Sequence, residues 1–291
     1  MQKMRRLILW LVLCAWCGPA CAVSIRVMTW NMHNFPSGVM YLRAPEAEPA
    51  NHATAAAVIR RERPDVLVMQ EIRDSAAVQV LLDSVGIPAY RLLVCSRFCD
   101  PPGIPLFQQV AIVSRLPLIR SGWKKWATLG AVDPPRGFAY AMVRNGGEVV
   151  LICGVHLKSN MVKDSDRERA AQLNILQREL AVQQLVRFIE TDRALAAAGL
   201  AAAVVAGDFN TNRDDPQFTS ERTLAVLDEA GFAECFAGLS TEQRLTWRGS
   251  GAFAAATFDY VFVRGLTYTG RTRVVAGGMG DHDPVVVDVG R

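Results

Sequence analysis

Between Ser24 and Trp30 polar and apolar residues alternate (SIRVMTW), and several are β-branched; the period of two predicts a strand. The next segment, 51–63, reads as a helix stopped by Pro64. Residues 65–72 (DVLVMQEI) form a short apolar run of the buried-strand type, and a second helix follows over 75–85. Further strands are predicted at 107–115, 137–144, 148–157, 201–209, 258–263 and 284–289. The longest helical stripe covers about 166–195, where Leu173, Leu176, Leu180, Leu185 and Ile189 recur near helical spacing, and a shorter helix covers 220–231. Strands and helices mingle throughout, with no linker and no repeat. That pattern predicts one α/β domain.

Polar residues gather just beyond the strand runs. Asn31 follows VMTW, Glu71 follows VLVMQ, His156 follows LICGV, and Asp208 and Asn210 follow AVVAG. Asp259 opens DYVFV, and Asp281-His282 precede VVVDV. A side chain at a strand end is held by a rigid sheet yet reaches an open rim, where α/β proteins tend to build sites.

The first 22 residues have a different character. Lys3, Arg5 and Arg6 precede an apolar stretch from Leu7 to Cys17 and a small-x-small site, Ala20-Cys21-Ala22. This is the layout of a cleavable secretory signal, and the run is too short to span a bilayer comfortably. The mature chain is then expected to span 23–291 in a periplasmic or secreted setting, without a stable membrane span. Lipidation at Cys21 is the weaker alternative, because Gly18-Pro19-Ala20 lacks a large aliphatic residue. The signal holds three of the 32 basic residues and none of the 28 acidic ones, so the remainder carries 29 against 28, a net +1. A nearly neutral body gives no support to tight nonspecific polyanion binding, though a local basic groove stays open. Four of seven cysteines remain; Cys95 and Cys99, in the turn-rich CSRFCDPPG, are close enough in sequence to close a small disulfide loop. Cys153 reads as a buried thiol, and no Cys-x-x-Cys pair suggests zinc.

Singly, the rim residues are ambiguous. Trp30-Asn31 reads as a buried tryptophan beside a turn asparagine, and a lone histidine after a buried run, such as His156, is usually structural. Glu71 ends an apolar strand and must be satisfied by a cation or by hydrogen bonds. In GDFNTN, Gly207 allows a tight exit, and Asp208 and Asn210 face one side if the segment stays extended. A carboxylate can orient or deprotonate a water and a carboxamide can donate to an anionic oxygen, a pairing suited to attack on phosphorus; an Asx-rich turn is the alternative.

The order of these pieces is more specific than any one. Trp-Asn, Gln-Glu, Gly-x-His, Gly-Asp-x-Asn, Asp-Tyr and a final Asp-His, spread over essentially the whole mature chain, resemble the endonuclease/exonuclease/phosphatase superfamily. The resemblance implies a four-layer α/β sandwich, two mixed β-sheets face to face with helices outside. It also implies phosphoester hydrolysis with a divalent cation, Mg²⁺ foremost and Mn²⁺ or Ca²⁺ as alternatives. Carried over by motif, Asn31, Glu71 and Asp281 would serve the metal. His156 would donate to the phosphate, Asp208 would orient or deprotonate the attacking water, Asn210 would hold the phosphoryl oxygen, and Asp259 would orient His282. Adjacent residues of an extended segment face opposite ways, so Asp283 reads as a turn residue.

One position departs from the pattern. Two residues after the motif asparagine, where abasic-site nucleases of the family commonly carry an acid, this chain has His33. That substitution, together with the signal, argues against genome repair. Arg136, Lys158, Arg213 and the WKKW segment (Trp123 to Trp126) are candidate substrate grips. WKKW also reads as an exposed edge strand guarded by lysines. The expectation is a monomeric, secreted or periplasmic phosphodiesterase acting on nucleic acid. A lipid or small-molecule phosphoesterase is the first rival, and a non-catalytic binding or toxin-like subunit on the same scaffold the second.

Overall fold

The computed structural model describes residues 24–39, 47–99, 107–162, 165–251 and 253–290. The expected signal segment and cleavage point, residues 1–22, lie outside them.

Twelve strands form two six-stranded sheets among the described residues. The first sheet has the order β11(Thr267–Val274)-β12(Val285–Gly290)-β1(Ser24–Phe35)-β2(Val66–Ile72)-β4(Gln109–Ser114)-β3(Arg91–Cys95). The second runs β5(Leu118–Lys125)-β6(Gly137–Asn145)-β7(Glu148–His156)-β8(Leu200–Asp208)-β10(Asp259–Arg264)-β9(Ala233–Glu234). Each is mixed: β1–β2 and β7–β8 are parallel, and the other pairs antiparallel.

The period of two in the apolar runs sorts residues between layers. In β1 and β2, Ile25, Val27, Val66 and Val68 join the core between the sheets. Met28, Trp30, Leu67 and Met69 turn the other way, onto helices α1(Glu48–Glu62) and α2(Ser75–Val85). Helix α3(Arg167–Thr191) covers the outer face of the second sheet, with Phe188 against the rings of Phe138 and Tyr140. The result is the α/β sandwich that the motif order implied.

Local chemistry accounts for the boundaries. Asp74 caps α2 by accepting from Ala77 N at 2.8 Å, and Gly86 ends that helix in the left-handed region. The expected helix over 166–195 is in fact two, because Asp192 leaves helical geometry and caps α4(Arg193–Ala197). Strands β3, β9 and β11 were not anticipated, nor was β5 beyond the edge-strand reading of WKKW; β3 and β5 are poorly buried, and neither shows the alternation of a half-buried strand. Trp123, Lys124 and Lys125 of WKKW close β5 at the sheet edge, and Trp126 just beyond is buried against Phe138. Cys95 and Cys99 are free thiols, not a disulfide, and burial pushes the Cys95 thiol up to about 12. Among the described residues no helix is long and apolar enough to cross a membrane.

Topology also fixes one rim. The parallel pairs β1–β2 and β7–β8 bring Asn31, Glu71, His156 and Asp208 to their C-terminal ends. The antiparallel neighbours start there: Asp259, the first residue of β10, pairs with Asp208, and Asp281-His282 lead into β12.

Candidate active site

Six described residues other than glycine have positive φ: His33, Asn34, Arg63, Glu71, Arg136 and Asn210. Five of them sit at this rim. Backbone of that kind is costly for side chains with a Cβ and persists where the surroundings over-determine it.

Glu71 is turned off the end of β2 at φ 58°. Its Oε2 accepts from Asn34 N at 2.9 Å, and its Oε1 accepts from Asn31 Nδ2 at 3.2 Å. The same Nδ2 donates to Asp208 Oδ2 at 3.0 Å, so one carboxamide ties the carboxylates of both sheets. His156 Nε2 stands 3.8 Å from Glu71 Oε1 and 3.7 Å from Asp208 Oδ2. The imidazole is held well below its usual pKa by burial, aided by the charges of Arg136 and His282, and is therefore neutral near pH 7. Its Nδ1 is buried without a hydrogen-bond partner.

Asp208 also accepts from Asn210 N at 2.9 Å, while Asn210 Nδ2 donates to Leu157 O at 3.2 Å. Burial, and next the neighbouring charge of Asp259, push the Asp208 carboxyl up to about 7, against the opposing pull of His282 and Asn31. Gly207 makes this turn feasible: at φ 151° a Cβ there would lie 2.0 Å from Val155 O.

His282 Nδ1 meets Asp259 Oδ2 at 2.7 Å. Burial alone would lower the pKa of His282, but the charge and hydrogen bond of Asp259, with Asp208 and Asp281 nearby, raise it to about 10. Thr246 Oγ1 accepts from Asp259 N at 3.0 Å, and Trp30 Nε1 donates to His282 O at 3.2 Å, so a buried tryptophan anchors the histidine's backbone. Asp281 faces the other way. Its Oδ1 meets His33 Nδ1 at 2.7 Å and its Oδ2 accepts from Trp247 Nε1 at 3.0 Å. Burial opposes ionisation of Asp281, but these two bonds and the charges of His282 and His33 hold it well below the usual carboxylate range.

The structure thus brings Asn31, Glu71, His156, Asp208, Asn210, Asp259 and His282 to one place. Asp281, expected from sequence to serve the metal, has one oxygen bonded to His33 and the other to Trp247. Asp283 pairs with Arg248 and accepts from Gly277 N at 2.8 Å. Of the candidate grips, Arg136 donates to the carbonyls of His156 (2.9 Å) and Leu157 (2.6 Å), bracing the rim from below. Arg213 is taken by Asp228 and Glu234, each at 2.9 Å. Trp247, Thr246 and Asn160, whose Nδ2 donates to Asn210 O at 2.7 Å, went unread because isolated polar or aromatic residues in loops carry no spacing signal.

Two places at the rim gather carboxylates. The ligand atoms of Asp208, Asp259 and His282 lie within 4.8 Å of one another. There, however, the cationic imidazole already balances the acids. Around Glu71 the nearest base is the neutral His156, His33 feels its charge from farther off, and no lysine or arginine among the described residues pairs with Glu71, Asp208 or Asp281. The Glu71 side chain is 14% exposed against 2% for Asp208, so it can also be reached. Hard oxygen donors with no lysine or arginine partner, beside an amide that can turn its oxygen inward, fit a divalent ion.

A polar rim of this composition on a two-sheet α/β sandwich defines a class of protein. The sequence model of the Endonuclease/Exonuclease/phosphatase family matches residues 28–282, and the chain belongs to that family. Similar solved structures include an endonuclease/exonuclease/phosphatase from Beutenbergia cavernae DSM 12333, with TM-score 0.65 and 20% identity, covering 92% of this chain and 71% of that chain. A family protein from Leptotrichia buccalis C-1013-b gives TM-score 0.64 and 15% identity, covering 91% and 99%. D. rerio TDP2, complexed with single strand DNA product, gives TM-score 0.61 and 16% identity, covering 91% and 98%. At these identities the likeness is one of fold. No curated protein matches the chain significantly by sequence.

Proposed function

We propose that this chain is an exported, divalent-metal-dependent phosphodiesterase that hydrolyses nucleic acid by in-line attack of water. The observation that carries the reading is the convergence of Glu71, Asp208 and Asp259 with a neutral His156 and a cationic His282 on one strained rim. Glu71 and Asn31 would hold the cation, which when bound shields phosphate charge and favours attack on phosphorus. Asp208, whose affinity for a proton lies near neutrality, suits the general base that orients and deprotonates the water. Asn210 and His156 suit donors to the phosphoryl oxygens, and His282, kept protonated by Asp259, opposes the charge that grows during transfer and can supply a proton. The N-terminal signal supports export, and the fold shared with a protein solved on single strand DNA product favours a nucleic-acid substrate.

The test is turnover of DNA, RNA, sphingomyelin and inositol phosphates with Mg²⁺. Nucleic acid is expected to be cleaved, and His156→Ala and Asp208→Ala each to lower the rate by about 10²–10⁴-fold. Undiminished cleavage by the double variant would overturn the assignment.

A further inference from the structure

Of the six non-glycine residues with positive φ, only Arg63 lies away from the catalytic rim. It ends α1 at φ 49°, a position that glycine or asparagine occupies with less strain. Arg63 lines a cavity of about 520 Å³ together with Arg26, Asp65, Arg115, Arg271 and Asp288. The cavity lies at the opposite end of the first sheet: Arg26 and Asn31 are five residues apart on β1, roughly 16 Å along the strand.

The carboxylates of this cavity are already committed. Asp288 accepts from Arg26 Nε at 2.6 Å and Nη2 at 3.0 Å. Asp65 accepts from Arg26 N and from Arg115 Nε, each at 2.7 Å. Nearby, Glu62 is matched by Arg61 and Arg273. The guanidiniums of Arg63 and Arg271 make no hydrogen bond among the described residues, and both side chains are exposed. Arg271 also stands at an irregularity, the register shift of β11 against β12 between Tyr268 and Arg271. Such irregularities re-aim side chains. Two guanidiniums, each launched from irregular backbone, thus share a cavity with two excess positive charges.

We infer that this cavity binds a phosphate dianion. Guanidinium forks match phosphate oxygens bidentately, and two of them match its charge. No aromatic ring lines the cavity, so a nucleobase would find nothing to stack on. The ligand is therefore compact, either free phosphate or the end of a small phosphomonoester, and the site is separate from the catalytic rim.

Calorimetry on the full chain in EDTA tests this with inorganic phosphate and with glycerol 3-phosphate, against acetate at equal ionic strength. Phosphate should bind and acetate should not. Affinity should fall about tenfold or more in Arg63→Gln/Arg271→Gln, with phosphodiester hydrolysis unchanged. Binding of both phosphates assigns the cavity to phosphomonoester ends, and binding of inorganic phosphate alone assigns it to the free ion. The proposal fails if phosphate binds no better than acetate. It also fails if His156→Ala abolishes phosphate binding while the arginine variant does not. Should the glutamine variant not fold, Arg63→Lys/Arg271→Lys keeps charge without the forks; unchanged phosphate affinity there overturns the site equally.

Discussion

His282 and Asp259 lie 23 residues apart in sequence, yet their Nδ1 and Oδ2 atoms are 2.7 Å apart in a buried site. The two aspartates that flank His282 in the chain do not hold its ring: Asp281 is bonded to His33 and Trp247, and Asp283 to Arg248. Three consecutive polar residues therefore serve separate partners. The first residue of β10 orients the imidazole because it is fixed in the ladder opposite Asp208.

This arrangement makes His282 a cation through neutral pH. Its folded pKa, about 10, lies above the ordinary histidine value of 6.5. The contribution of the pair to stability is thus fully present below about pH 6.5 and is lost as pH rises through about 10. Asp259→Asn should bring the titration of His282 down toward its ordinary range and remove this alkaline dependence. Histidine NMR titration of both proteins measures it; a wild-type midpoint below 7 would contradict the account.

Glu71 should govern metal affinity and His156 should not. Glu71→Gln removes a carboxylate that has no lysine or arginine partner among the described residues and is expected to weaken Mn²⁺ or Mg²⁺ binding at least about tenfold by calorimetry. His156→Ala should bind metal within about twofold of wild type while turnover collapses. Equal loss of affinity in both variants would place the cation against the imidazole instead.

The fold and most of the rim were legible in the sequence because both rest on local pattern. Period-two runs marked the buried strands, and the residues closing those runs, Asn31, Glu71, His156 and Asp208, are held at the rim by strand pairing. The strands that were missed are edge or short ones, where burial is weak and no period-two pattern develops. The partners of Asp281 were illegible for another reason. Trp247 lies 34 residues away in a loop, and His33 reaches Asp281 only because its backbone bends into the left-handed region. Such contacts depend on tertiary closure and leave no periodic trace.

Gly207 should tolerate no side chain. An alanine Cβ would meet the Val155 carbonyl at 2.0 Å, and φ 151° is a conformation that residues with a Cβ rarely adopt. Gly207→Ala is expected to cost about 2–3 kcal/mol. It should also reduce turnover beyond that loss, because the displaced residue is joined directly to Asp208. Denaturant melts and rate measurements on the folded fraction separate the two effects. Wild-type stability would show that the strand exit is looser than its geometry indicates.

Arg178 and Glu221 form the most deeply buried ion pair, each side chain 1% exposed, with Nη2 and Oε2 2.5 Å apart and Nε and Oε1 2.7 Å apart. Arg178 also donates to Lys158 O at 3.0 Å, two residues past His156, so the pair fastens α3 to the loop that follows β7. Removing one partner leaves the other charged and buried, which costs about 3–5 kcal/mol. Glu221→Ala should therefore unfold at markedly lower denaturant concentration. Arg178→Met/Glu221→Leu, which removes both charges and retains volume, should recover much of that loss while losing the tether to Lys158. Equilibrium melts of the three proteins give the stabilities, and turnover of the double variant reads the tether. A single variant as stable as wild type would mean that water reaches the pair.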